Sequence, residues 1–132
     1  MSIKIVDFNL KKKYANLALK WCKDNFGINY RKRRKVILEI SNKPRKIKNY
    51  MIFGNYCFWR NKITIYEPNC KTDIQIVSTV IHEYTHYLQS RTKYQKYEKT
   101  HYYSTHPLER SAFRNEEKYA KMCLKEIKKL IV

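Results

Sequence analysis

Three residues in the run Ile81-His82-Glu83-Tyr84-Thr85-His86-Tyr87-Leu88 could do chemistry together. His82 and His86 are four apart, so on a helix they stand one above the other on the same face. Two imidazoles in that relation can hold one metal ion. Glu83 then points beside the ion, where a carboxylate can act as a general base. In a chain of this length with four His and eight Glu, chance produces about 0.01 matches to H-E-x-x-H. The pattern is specific before any context is added.

The flanking residues predict the helix that this pairing needs. Thr72-Asp73-Ile74-Gln75 reads as a capping box, with the Thr72 hydroxyl taking an orphan amide and Gln75 reaching back. Asp73 falls in the first turn, where the helix dipole favours negative charge. Ile74, Val77, Ile81, Tyr84 and Leu88 then recur at steps of three and four, forming one apolar stripe. His82, Glu83 and His86 lie off that stripe, on the flank of the helix.

A catalytic zinc usually has three protein ligands and an open fourth position. The third ligand is sought in Thr105-His106-Pro107-Leu108-Glu109-Arg110-Ser111-Ala112. Pro107 suits the first position of a new helix, which places Glu109 in its first turn. Glu109 follows His86 by 23 residues, enough for the chain to return and set a second helix against the first. His101 and His106 are the other histidines and are rivals for this place. Glu116 and Glu117 are weaker alternatives deeper in the same helix.

On these residues the chain resembles the gluzincin branch of the zincin metallopeptidases. In that branch the third ligand is a Glu on the helix after the active-site helix, in a P-x-E-x-x-A-like setting that Pro107, Glu109 and Ala112 match. The long three-His signature is excluded, since Gln89 and Thr92 stand where it needs Gly and His. There is some similarity to small SprT-like and ImmA/IrrE-like metalloprotease domains. The four-Cys ribbon common in SprT-like proteins is missing. The resemblance implies one Zn2+ held by His82, His86 and Glu109, with Glu83 as catalytic base. It also implies an oxyanion donor after the motif helix: Tyr102, Tyr103, His106 and His101 are the candidates.

The remaining sequence predicts an α+β fold, a minimal zincin core formed by residues 1–132 as one metallopeptidase-like domain. A first helix is expected over about Asn9 to Phe26. Leu10, Tyr14, Leu17, Ala18, Trp21 and Cys22 form its buried side, Lys11, Lys12, Lys13 and Lys20 its wet side, and Gly27 its stop. The basic run Tyr30 to Lys35 could contact phosphate, or simply be solvated, ahead of a strand at Val36 to Ile40. Ser41 to Asn49 reads as a Pro-containing basic loop. Strands follow at about Tyr50 to Trp59, which Gly54-Asn55 could split, and at Lys62 to Glu67, with a tight turn at Arg60-Asn61. The expected sheet is antiparallel or mixed, of about three strands. Arg91 to His106 is expected as a long loop rich in Lys and Tyr, able to stack bases or to rim the site. The last helix, about Pro107 to Leu130, should bury Leu108, Ala112, Tyr119, Cys123, Ile127 and Leu130, with Lys125, Lys128 and Lys129 in solvent.

Composition bounds the partners. Twenty-nine Lys and Arg stand against 11 Asp and Glu, a net charge of +18. That balance favours acidic partners such as nucleic acid, an anionic surface or acidic protein segments. Cys22, Cys57, Cys70 and Cys123 form no C-x-x-C pair and read as small buried hydrophobes. The first ten residues carry no signal-peptide pattern, and no stretch is long enough to span a membrane, so a cytoplasmic or other intracellular protein is expected. The function expected is zinc-dependent hydrolysis of peptide bonds in a protein or peptide substrate. The alternatives are a basic nucleic-acid-binding protein with a structural or degenerate metal site, and a protease acting on DNA-bound proteins.

Overall fold

A computed structural model describes residues 3–32 and 34–131; Arg33, within the basic run, lies outside the described residues. The fold is α+β. Helix α1 (Phe8–Phe26) is capped by Asp7, whose side chain accepts from Asn9 N, and ends at Gly27 with φ 79°, a left-handed conformation that favours glycine. Strands β1 (Ile37–Ser41), β2 (Lys46–Ile47), β3 (Tyr50–Met51), β4 (Gly54–Cys57) and β5 (Lys62–Tyr66) follow, then α2 (Asp73–Leu88), α3 (Arg91–Thr100) and α4 (Pro107–Lys128).

The main sheet has the order β1-β5-β4. β4 and β5 form an antiparallel hairpin around Asn61, which takes φ 49° as the turn requires. β1 pairs parallel to β5, from Ile37 opposite Lys62 to Ser41 opposite Tyr66. The sheet is therefore mixed. The stretch expected as one strand from Tyr50 is divided at Ile52-Phe53. Its first part, β3, turns back on β2 through Lys48 (φ 57°) as a separate small hairpin.

Helix α2 lies between the sheet and the other helices, packed along α4 and α1 and against β4 and β5. Both halves of its capping box form: Gln75 N donates to Thr72 Oγ1 at 3.2 Å, and Thr72 N donates to Gln75 Oε1 at 3.1 Å. Val77, Ile81 and Tyr84 of the stripe are fully enclosed, while Ile74 and Leu88 are half-buried at its ends. Asp73 is buried as well. Its carboxylate accepts from Ile3 N and pairs with Lys128 at 3.0 Å, joining the N-terminal segment, α2 and the end of α4.

Several solvent assignments change for one reason: a helix touched on two sides buries more than a single stripe. Lys11 is buried, with its ammonium on Glu67 at 2.8 Å. Lys128 is drawn in by Asp73. In α4, Ala112, Cys123 and Ile127 are buried as expected, Leu108 and Tyr119 only partly, and Leu130, beyond the last turn, is exposed. Cys22, Cys70 and Cys123 are buried, Cys57 is half-buried, and all four are free thiols. Among the described residues, no helix is long and apolar enough to cross a membrane.

The segment after α2 is not a loop. Ser90 caps α3, accepting from Lys93 N at 3.3 Å, and a short 3-10 turn (Tyr103–Thr105) leads to α4. No residue of α3 is buried, so it carries no apolar stripe, the feature by which helices are usually read from sequence.

Candidate metal centre

Helix α2 aims both imidazoles at α4, and the first turn of α4 answers with Glu109. Glu109 Oε1 lies 3.2 Å from His82 Nε2 and 3.1 Å from His86 Nε2. The donor atoms of His82, Glu83 and His86 lie within 4.8 Å of one another, and all four side chains are buried. In a tetrahedral site with bonds of about 2.0–2.1 Å, neighbouring donor atoms stand about 3.3 Å apart. Glu109 Oε1 stands at about that spacing from each inward imidazole nitrogen, and Glu83 lies within reach of the same point.

The outward ring nitrogens are also held. His82 Nδ1 meets Glu116 Oε1 at 2.8 Å, and His86 Nδ1 meets Gln89 Oε1 at 2.7 Å. Gln89 in turn donates to Leu108 O at 3.0 Å, linking the end of α2 to the start of α4. Such outer partners fix the ring orientation, leaving Nε2 of each histidine turned inward. Glu116 thus supports His82 from outside the donor set, and Glu117 is exposed.

Charge in this cluster is strongly coupled. Burial alone would lower the pKa of His82, but hydrogen bonds with Glu109 and Glu116 outweigh it and push it up to about 10. Burial would raise Glu109, yet the hydrogen bonds from His82 and His86 hold its carboxyl well below the usual carboxylate range. Glu83 is raised by burial, against the opposing pull of the two histidines. His82 and Glu109 thus stabilise each other's charged forms.

Tyr94 lies in the Lys- and Tyr-rich stretch expected to rim the site, an expectation that assigns it no role toward a metal ligand. Its hydroxyl donates to Glu109 Oε2, and its ring stands edge-on to His86 at 5.4 Å. A Ser at position 90 ahead of good helix formers signals α3 itself, but nothing in the spacing points the Tyr94 hydroxyl at Glu109. His106 is turned away from oxyanion duty because both ring nitrogens serve the fold. Nδ1 accepts from Leu108 N and Glu109 N as the cap of α4, and Nε2 donates to Tyr94 O at 3.0 Å. His101 is exposed, bonded to Thr100, and Tyr102 is also exposed. Tyr103 lines the cleft beside Glu109 and Glu83. The residue is 62% exposed, while its hydroxyl faces the carboxylates of the cleft and is a donor at neutral pH.

The cleft above these residues has a volume of about 1040 Å³ and runs from the β2-β3 hairpin across β4 to α3 and α4. β4 forms the edge of the sheet at this cleft. Gly54 packs there so closely that an added Cβ would collide with the Thr79 methyl and lie 3.4 Å from Glu83 Cγ. Among the described residues of the basic run, none lines the cleft. Lys32 folds inward, donating to Tyr56 Oη at 2.8 Å and Tyr87 O at 2.6 Å among the rings of Tyr56, Phe58 and Tyr87.

No protein-family model matches this chain, and no curated protein and no solved structure matches it either.

Proposed function

We propose that this protein is a zinc-dependent metallopeptidase of the gluzincin kind, hydrolysing peptide bonds. One observation carries the reading. A carboxylate 27 residues from one histidine and 23 from the other sits, buried, within 3.2 Å of both inward ring nitrogens. A glutamate placed only to start a helix would have no reason to be there.

His82, His86 and Glu109 would hold the metal, and Glu83 would stay out of the donor set. Zinc in such a site supplies Lewis-acid polarisation of a carbonyl and lowers the pKa of water to about 7. Glu83 takes the proton of the attacking water and delivers it to the leaving amine. Its burial, by raising its proton affinity, suits it to both halves of that task. Tyr103 donates to the oxygen on which charge develops. Tyr94 and Glu116 hold Glu109 and His82 in register.

Metal content and casein cleavage, measured together on wild type, Glu83→Gln and Glu109→Ala, test the reading. About one zinc per wild-type chain is expected, as a single catalytic site requires. Glu83→Gln keeps the zinc and loses cleavage; Glu109→Ala loses or weakens the metal. Wild type without zinc would end the hypothesis. A second reading, proteolysis guided to DNA-bound proteins, is favoured by the net charge of +18. It requires DNA binding that weakens steeply with salt.

A further inference from the structure

The cleft differs in character from the chain that forms it. Its Lys and Arg side chains are Lys48 and Arg91, against Glu83, Glu98, Glu109 and Glu116, the last two of which face the His82 ring. Arg91 is moreover engaged, its guanidinium lying over the ring of Trp59 at 3.2 Å from the centroid. In a chain with 29 basic and 11 acidic residues, this is a local reversal. The rim is also apolar. Ile47, Tyr50, Met51, Phe53, Trp59 and Phe113 all border the cleft and are all exposed, Tyr50 and Trp59 by about three quarters (75% and 74%). Large apolar side chains gathered around one concavity mark a binding surface; scattered singly they would need no explanation.

The β2-β3 hairpin adds to this. It contributes Ile47, Tyr50 and Met51 to the rim, and both its strands are exposed. Across the cleft, Phe113 of α4 packs against the His82 ring at 4.6 Å, so the apolar rim continues to the ligand cluster itself. The floor between them includes β4, an edge strand, and an unpaired strand edge offers backbone donors and acceptors to another polypeptide.

We propose that the cleft takes a polypeptide segment carrying bulky apolar side chains, and that acidic segments and nucleic acid are not its occupants. The proposal rests on the metallopeptidase reading and specifies its substrate class. A phosphate or carboxylate chain entering here would meet Glu83 and Glu98, besides Glu109 and Glu116, which the His82 ring already engages. Even with a divalent ion neutralising the ligand cluster, Glu98 and Glu116 remain. An apolar segment instead covers the exposed rim, gaining affinity with the area it removes from water. The net positive charge then acts elsewhere on the surface.

The test uses the zinc-loaded Glu83→Gln protein and short fluorescein-labelled peptides, identical except for a central Leu-Phe, Lys-Lys or Glu-Glu pair. Fluorescence anisotropy at physiological salt should give the Leu-Phe peptide about ten-fold or more tighter binding than the Glu-Glu peptide. An unlabelled single-stranded oligonucleotide should not displace it. Tyr50→Asp and Trp59→Asp, at exposed positions where folding is not at stake, should each weaken the Leu-Phe peptide about ten-fold with circular dichroism unchanged. Binding of the Lys-Lys or Glu-Glu peptide as tight as that of the Leu-Phe peptide, displacement by the oligonucleotide, or no binding of the apolar peptide would overturn the proposal. The same titration on the metal-free chain separates the two claims. Apolar preference without zinc or cleavage would sink the hydrolase and leave the cleft assignment standing, whereas casein cleavage without apolar preference would do the reverse.

Discussion

The Tyr94 hydroxyl donates to Glu109 Oε2, the carboxylate oxygen that does not touch the histidines. Oε1 is thereby left facing His82 and His86, with Glu109 held from both sides. Tyr94 belongs to a helix with no buried residue, yet its hydroxyl reaches a carboxylate that is only 4% exposed. Removing that hydroxyl takes one donor from a buried carboxylate and loosens its orientation toward the histidines. Tyr94→Phe should therefore weaken zinc about 10- to 100-fold, the usual cost of losing an outer partner of a metal ligand. Cobalt-substituted protein should show an altered visible spectrum, with helix content unchanged. An unaltered zinc affinity by chelator competition would remove Tyr94 from the site.

Tyr103 and Tyr102 are neighbours in sequence with different surroundings. Tyr103→Phe should keep its zinc and cut kcat by about 10²- to 10³-fold, the loss seen for one oxyanion donor. Tyr102→Phe, at a residue 83% exposed, should leave kcat alone. Equal effects of the two substitutions on peptide hydrolysis would reject Tyr103 as donor.

The metal-free cluster should show itself in stability against pH. The folded-state pKa of His82, about 10, lies above its unfolded value near 6.5. Its contribution is then complete below about pH 6.5 and is lost as pH rises through the folded value. Glu109 works in the opposite sense, contributing above about pH 4.5 and losing its effect in acid. Lys32, lowered to about 8 by burial, complicates the range above that pH. Between pH 6.5 and 8 the Tm of metal-free protein should fall, by at most about 1.4 kcal/mol of stability per pH unit for the one proton. Zinc uptake over the same interval should release a proton and tighten with pH. A flat Tm profile in calorimetry would mean that His82 is not charged in the metal-free fold.

Gly54 is required by a close approach and not by its backbone angle. Gly54→Ala would set a methyl against Thr79 and the Thr64 carbonyl, and either β4 or α2 must give way. Overpacking of this kind costs roughly 1–3 kcal/mol. Glu83 is the next atom group in the path, so hydrolysis should fall more than the lost stability explains at a temperature where the variant is fully folded. Full activity in a folded Gly54→Ala protein would show that the strand does not help to place the base.

Much of the fold could be read locally. The end of α1, the start of α2, the Asn61 turn and the buried faces of Val77, Ile81 and Tyr84 follow from caps, turn chemistry and period, which act over a few residues. α3 escaped because an exposed helix has propensity without an apolar stripe. The small hairpin of Lys46–Ile47 with Tyr50–Met51 escaped because two-residue strands are too short to show alternation. Lys11, Lys128 and Lys32 were misplaced or left open because their partners, Glu67, Asp73 and the ring cage of Tyr56, Phe58 and Tyr87, lie far along the chain.

By itself the sequence determined the helix that carries His82, Glu83 and His86, because a four-residue spacing and a capping box are properties of neighbouring residues. It also pointed to Glu109 through Pro107, without saying what that carboxylate would touch. Tertiary structure alone decided that Glu109 Oε1 meets both imidazoles, that Glu116 and Gln89 brace them, and that Tyr94 closes the far side. It also decided that His106 serves as a cap and that the cleft is apolar in a basic chain. These are contacts between α2, α3 and α4, and their geometry depends on how the helices pack, which no local spacing encodes.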